Sequence, residues 1–274
     1  MVQLPQRIPY SGAALVRVLA RIAHTGVPAP DVSLPDRLSQ WLGWTDAIAL
    51  SSALDAAAPA PYSAGQTASG EATVATLEAA VCARTRATLT AEIDASRRDR
   101  ASSRGRNSAA PLRVEARVEE NDATIDFALL RQRYQAQQQS METAIGELRA
   151  RLRATLATRS ERHARLALVD ATMERALDGR ERTVLAAVPA LLEAHFKRLR
   201  DAALPKAAAA QAEAEAGPQT RDSATAHRDD QPVTAPPAGA WLDAFRADMH
   251  AVLLAELDLR FQPVEGLLAA LRAS

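Results

Sequence analysis

"FALLRQRYQAQQQSMETAIGELRARLRATLATRSERHARLALVDATM", Phe127 to Met173, is the stretch on which the fold turns. With Phe127, Tyr134, Met141 and Leu148 at the d positions of a heptad, Ile145 and Leu152 fall at a. The same register reaches Leu166, Val169 and Met173. Side chains at this spacing share one side of a helix. A helix that starts near Asp122 and keeps the stripe for about 50 residues would be a rod of about 75 Å. A helix of that length gains little from propensity alone and must bury its stripe on another helix, of this chain or of a second copy.

The stripe is interrupted. Arg131 and Gln138 occupy a positions near its start, and Thr155, Arg159 and Arg162 occupy d, a and d in its middle. Two readings compete there. "TRSE", Thr158 to Glu161, has the form of a capping box, so that one helix would stop and another begin. Alternatively the helix continues through a polar layer that fixes register or partner. No glycine or proline marks a turn, which favours the continuous helix. Gly179 in "LDGRE" is a natural C-cap. A return helix, Arg182 to Ala203, follows with Val184, Val188, Leu191, Leu192, His195 and Leu199 on its apolar face. Pro189 should kink or restart it. The segment 122–204 therefore reads as an antiparallel helical hairpin or coiled coil.

Upstream, residues 1–58 read as a small helical module. Ser11 caps a helix with Leu15, Val18, Leu19 and Ile22 on one side. A proline-punctuated loop leads to a second helix through Trp41 that ends at Gly43. A third helix starts at Thr45 or Asp46 and carries Ile48, Leu50 and Leu54. Trp41 and Trp44 flank that glycine as packing or interface anchors, and Trp241 and Phe245 are their candidate partners. After a proline-containing linker, 71–96 reads as a helix. Residues 97–111 form an arginine-, serine- and glycine-rich flexible loop. Downstream, 205–239 is a low-complexity tether with too few large apolar residues to offset the entropy of ordering. Residues 240–274 form an amphipathic C-terminal module on Trp241, Phe245, Met249, Val252, Leu253 and Leu257, with Pro263 opening a short final helix. The fold class is all-α.

Composition agrees. Hydrophobic residues are 47% of the 274 but aromatics only 4%, against a large aromatic-lined cavity. With 33 basic and 33 acidic residues, no net charge draws the chain to nucleic acid. A single cysteine, Cys82, excludes an intramolecular disulfide and a multi-cysteine metal site. Arg17 and Arg21 interrupt the one apolar run near the N-terminus, so no signal peptide is read there. No stretch is long and apolar enough to span a bilayer. The expectation is cytoplasmic.

Candidate chemistry is sparse. From Arg131 to Arg165 there are eight arginines and three glutamates. Within that run Arg149, Arg151 and Arg153 are the candidate nucleic-acid contacts, with the 97–111 loop beside them. No pair of histidines has metal-ligand spacing, and GxGxxG, Walker and GxSxG motifs are absent. No cofactor or metal is expected. An enzyme would need His163 or His195 brought to paired carboxylates.

"LSQWLGWTDAIALSSAL" and "MHAVLLAELDLRFQPVEGLLAAL" resemble hallmark stretches of an uncharacterised bacterial family of proteobacterial type. The similarity runs the whole length and is loosest in the middle and the tether. It carries no reaction. What it implies is a soluble accessory to an envelope complex. The reading that follows is a non-enzymatic helical interaction or scaffold protein. It would act by self-association or by binding a helical partner, using Trp41, Trp44, Trp241, Phe245 and the stripe residues Met141, Ile145, Leu148, Leu152, Leu166, Val169 and Met173. The alternative is a nucleic-acid-associated protein.

Overall fold

In a computed structural model, residues 13–25, 34–55, 68–98, 126–215 and 239–273 are described, and they form helices without a strand among them. In chain order these are α1 (Ala14–Ala23), α2 (Leu34–Trp41), α3 (Trp44–Asp55), α4 (Ala68–Arg98), α5 (Phe127–Ala157), α6 (Glu161–Leu185), α7 (Val188–Glu215) and α8 (Ala240–Arg272). Most of the 97–111 loop, residues 216–238 of the tether and the linker at 56–67 lie outside the described residues.

The heptad stripe holds through α5. Asp126 accepts from the Ala128 N–H at 3.0 Å and caps the start. Phe127, Leu130, Tyr134, Met141, Ile145, Leu148, Leu152 and Leu156 are then buried along one side. The rod does not continue. The helix ends at Ala157, and Ser160 in extended conformation (φ −147°, ψ 162°) caps α6 by accepting from the His163 N–H at 3.3 Å. The continuous-helix expectation therefore fails, and so does the proposed box geometry, since Ser160 rather than Thr158 is the cap. Two contacts hold the break: the Thr158 hydroxyl donates to Thr155 O at 2.9 Å, and the Arg159 N–H to Leu156 O at 3.1 Å. Arg159 itself is 8% exposed and donates to Leu271 O at 3.0 Å, in the last turn of α8. A cation there satisfies a terminal carbonyl and the negative end of the helix dipole.

α6 folds back on α5, and α7 prolongs the return. Arg182 meets Glu142 at 2.9 Å, Gln138 donates to Leu185 O at 3.3 Å, and Arg131 pairs with Glu193. The antiparallel partner of α5 is thus two helices joined at Ala186–Ala187, not one helix from Arg182. Gly179 lies inside α6 and caps nothing. Pro189 is the second residue of α7, where the backbone N–H has no intrahelical acceptor, so the restart costs no hydrogen bond.

α8 runs parallel to α5 and antiparallel to α4. Phe127 and Phe245 are 6.1 Å apart at one end, and Arg159 reaches Leu271 at the other. Against α4, His250 meets Asp94 at 2.7 Å and Arg86 meets Glu265 at 2.6 Å. α8 is the most thoroughly buried helix, with Leu242, Phe245, Val252, Leu253, Leu257, Phe261, Val264 and Leu267 among its core residues. It does not restart at Pro263, which sits within an unbroken helix. The core is therefore one cluster built from α1, α4, α5, α7 and α8, with Ala167 and Leu185 from α6. The C-terminal helix is its middle, and the N-terminal segment is divided: α1 packs on α8 and α7, while α3 packs on α6.

Candidate functional site

The stripe residues nominated as association surface go to two places. Met141, Ile145, Leu148 and Leu152 are 0–7% exposed inside the chain's own core. Beyond the break the heptad no longer points inward. Leu166 is 39% exposed and Val169 and Met173 are half-buried, while Ala164, Ala167 and Thr172 are the buried side of α6. A shared register needs an uninterrupted helix, and the extended Ser160 rotates every later side chain out of phase.

The aromatic anchors also separate. Phe245 is wholly buried in a cluster with Phe127 and Phe196, the latter at 5.2 Å, and half-buried Trp241 lies 5.2 Å from Phe196. Trp41 and Trp44 do not join them. Trp41, 37% exposed, lies under the Arg180 guanidinium at 5.8 Å, on α6. Trp44 is 81% exposed and Ile48, one turn on, is 50% exposed. Helical geometry explains this. Ala53, 2% exposed, marks the side of α3 that meets α6, and Trp44 and Ile48 lie on the opposite side.

The three nominated arginines are engaged within the chain. Arg149 makes a bidentate pair with Asp170 (2.9 and 2.7 Å), and Arg153 meets Asp170 at 3.0 Å and Glu174 at 2.6 Å. Arg151 is bidentate to Glu78 (2.8 and 3.1 Å), a hydrogen bond and charge that hold its guanidinium ionised above its ordinary range. The acids that balance these three arginines sit on α4 and α6. Any phosphate at these positions would have to displace a carboxylate already paired with the guanidinium, bidentate at Arg149 and Arg151.

A polar node missed in the sequence lies in the core. Glu256 of α8 is 0% exposed. Its carboxylate accepts from the Tyr134 hydroxyl at 2.5 Å, from Gln138 at 3.0 and 3.1 Å, and from the Arg260 Nε at 3.0 Å. Arg260 extends the chain to Glu181 at 3.3 Å. Burial first, and then the charge and hydrogen bond of Glu256, push the Tyr134 phenol far above its usual range, so it remains a donor. The node ties α5 and α8 to the α6–α7 junction, because Gln138 also reaches Leu185 O. A signal was available: Glu256 follows Phe245, Met249 and Val252 at helical spacing, and Gln138 falls at an a position.

His195 and His163 fasten α8. His195, 5% exposed, donates through Nε2 to Asp248 at 2.8 Å, since Arg198, a donor only, faces its Nδ1 at 3.4 Å. His163 donates to Ala270 O at 3.3 Å while its Nδ1 accepts from Ser160 at 2.7 Å. Among the described residues neither meets the paired carboxylates an acid–base mechanism would use. Among the described residues no group of three His, Cys, Asp or Glu side chains converges as metal ligands. Nor is any described helix long and apolar enough to cross a membrane.

A family model described as "Protein of unknown function (DUF3348)" matches residues 1–273. The chain belongs to this family. No curated protein and no solved structure matches it.

Proposed function

We propose that this family member is a non-enzymatic helical interaction protein. It presents the outer side of α3 to a second helical surface, on another copy of itself or on a partner protein. The observation that carries the reading is Trp44 at 81% exposure with Ile48 beside it, on a helix whose opposite side is already packed. Tryptophan buries a large area at low entropic cost and dominates interface energetics. The stripe on α5 supports this assignment by elimination, because it is consumed in holding the chain together. The internal pairing of Arg149, Arg151 and Arg153 weighs against the nucleic-acid reading. In its finer form the proposal is a cytoplasmic accessory to a bacterial envelope complex, with the α3 face as the point of attachment.

The test is the double variant Trp44→Ala, Ile48→Ala. Association is measured by light scattering over a concentration series and by retention of partner on the immobilised full chain. The variant keeps its helicity and its stability to within about 0.5 kcal/mol, as expected for exposed positions, and loses association. Association equal to wild type rejects α3 as the contact.

A further inference from the structure

α1 has little of its own to keep it helical. Its ten residues, Ala14–Ala23, fall short of the length at which an isolated helix holds in water. Ala13, at the N-cap position, offers no side-chain acceptor to the N–H groups of the first turn. At the other end the chain turns through His24 at φ 54°, in the left-handed region that a residue with a Cβ avoids and where glycine is usual. No other non-glycine residue among those described has a positive φ. This strained turn lets the Thr25 N–H reach Ala20 O at 3.0 Å and the His24 N–H reach Arg21 O at 3.2 Å.

Packing therefore makes the helix. Leu15 and Ile22 are 4% and 2% exposed in the core shared with α7 and α8, and Val18 and Leu19 are half-buried on the same side. The polar ties to those two helices all fall in the last turn. Arg198 of α7 donates to Ile22 O, a carbonyl that the two turn bonds do not use. Arg21 meets Asp248 of α8 at 3.5 Å, and the other oxygen of that carboxylate accepts from His195 at 2.8 Å. Arg198 also stands 3.4 Å from Nδ1 of His195. The clasp is thus mounted on α7 and α8, and its His195–Asp248 bond needs nothing from α1. Arg198 is exposed and the Arg21 side chain is 65% exposed, so both return to water without leaving a buried charge unpaired if α1 departs. The core node is separate, since Tyr134, Gln138, Glu256 and Arg260 all belong to α5 and α8.

We propose that α1 is a strap. It unfolds from α7 and α8 and refolds onto them as one unit while the rest of the bundle stays intact, and so it controls access to the apolar surface beneath Leu15 and Ile22. Two features of its last turn set how often it opens. The Arg198 bond to Ile22 O holds the strap shut, and the left-handed His24 stores strain that opening releases.

The test is native-state amide hydrogen exchange of the full chain, followed by mass spectrometry under conditions where closing outpaces exchange. In the wild type the α1 amides should exchange about a hundredfold faster than those in the middle of α5 and α8, yet at least about tenfold slower than in a free chain. Arg198→Ala should speed exchange in α1 by about tenfold, the scale of one charged hydrogen bond. His24→Gly should slow it by about fivefold, because the strain is gone. Tyr134→Phe provides the control. It weakens the node, so it should speed exchange in α5 and α8 by about tenfold and leave α1 unchanged, because the strap opens with the node still formed. An α1 that exchanges in step with α5 and α8, or that follows them by the same factor in Tyr134→Phe, opens only with the whole molecule, and the strap is rejected. Exchange in α1 at the free-chain rate rejects the closed state. Unchanged α1 exchange in both Arg198→Ala and His24→Gly overturns the assigned control.

Discussion

Glu256 is the residue with most at stake. It is a carboxylate without solvent in the middle of the most buried helix, and every acceptor site it has is used by Tyr134, Gln138 and Arg260. Deleting one member of a buried charge network costs more than the network is worth, because the others are left unpaired. Glu256→Ala is expected to lose about 3–5 kcal/mol by urea unfolding, and Tyr134→Phe about 1–3 kcal/mol, since one charged hydrogen bond goes but no charge is orphaned. The phenol also makes a pH prediction. Its folded-state pKa is raised, so its contribution is fully present below the ordinary tyrosine value of about 10 and is lost as pH rises above it. Stability of the wild type should fall above about pH 10, and Tyr134→Phe should flatten that fall. An identical alkaline slope in both proteins would remove the node from the account. Glu256 was readable as an anomaly in an apolar stripe, and Arg260 as its i,i+4 partner; that Tyr134 and Gln138 of α5 converge on it was not, because those distances are tertiary.

Among the helices, the break at Thr158–Ser160 has the largest consequence. It turns a single stripe into two helices that face each other, and it places Arg159 at the end of α8. Heptad spacing suits both a long coiled coil and one side of a hairpin, so periodicity alone does not choose between them. Local chemistry does: Ser160 satisfies an N–H that a continuous helix would have bonded internally. Ser160→Ala should destabilise the chain by about 1 kcal/mol in urea, while Ser160→Asp, which caps equally well, should leave stability close to wild type. Equal losses for the two would show that the hydroxyl is not acting as a cap. Pro189 and Pro263 show how little a proline fixes by itself. The first begins a helix and the second rides inside one, and burial of Val264 and Leu267 on the far side of Pro263 keeps α8 whole.

For the molecule as a whole, the question is whether the stripe on α5 holds one chain together or joins two. Ile145 and Leu152 are 7% and 0% exposed with α4, α6, α7 and α8 of the same chain around α5. Two carboxylates placed there without partners should cost several kcal/mol each, out of a total stability of about 5–15 kcal/mol. Ile145→Asp with Leu152→Asp is therefore expected to lose far-ultraviolet helicity and to expose Cys82. That thiol is 5% exposed and is pushed up from its usual pKa first by burial and then by Glu78, so in the native protein it should react slowly. A variant of half the wild-type mass that stays helical, with Cys82 protected, would return the stripe to an intermolecular role.

Alanine-, leucine- and arginine-rich composition and the spacing of Phe127, Tyr134, Met141 and Leu148 determined that this chain is helical and that α5 has one buried side. These are local properties, set by backbone geometry and by which side chains share a helix face. The tertiary structure alone decided that α8 lies at the centre, that Asp170, Glu174 and Glu78 answer the arginines of α5, and that Trp44 stays outside. Those outcomes depend on which helices become neighbours, and pairing between separate helices is chosen by the fit of whole surfaces, which no single stretch of sequence records.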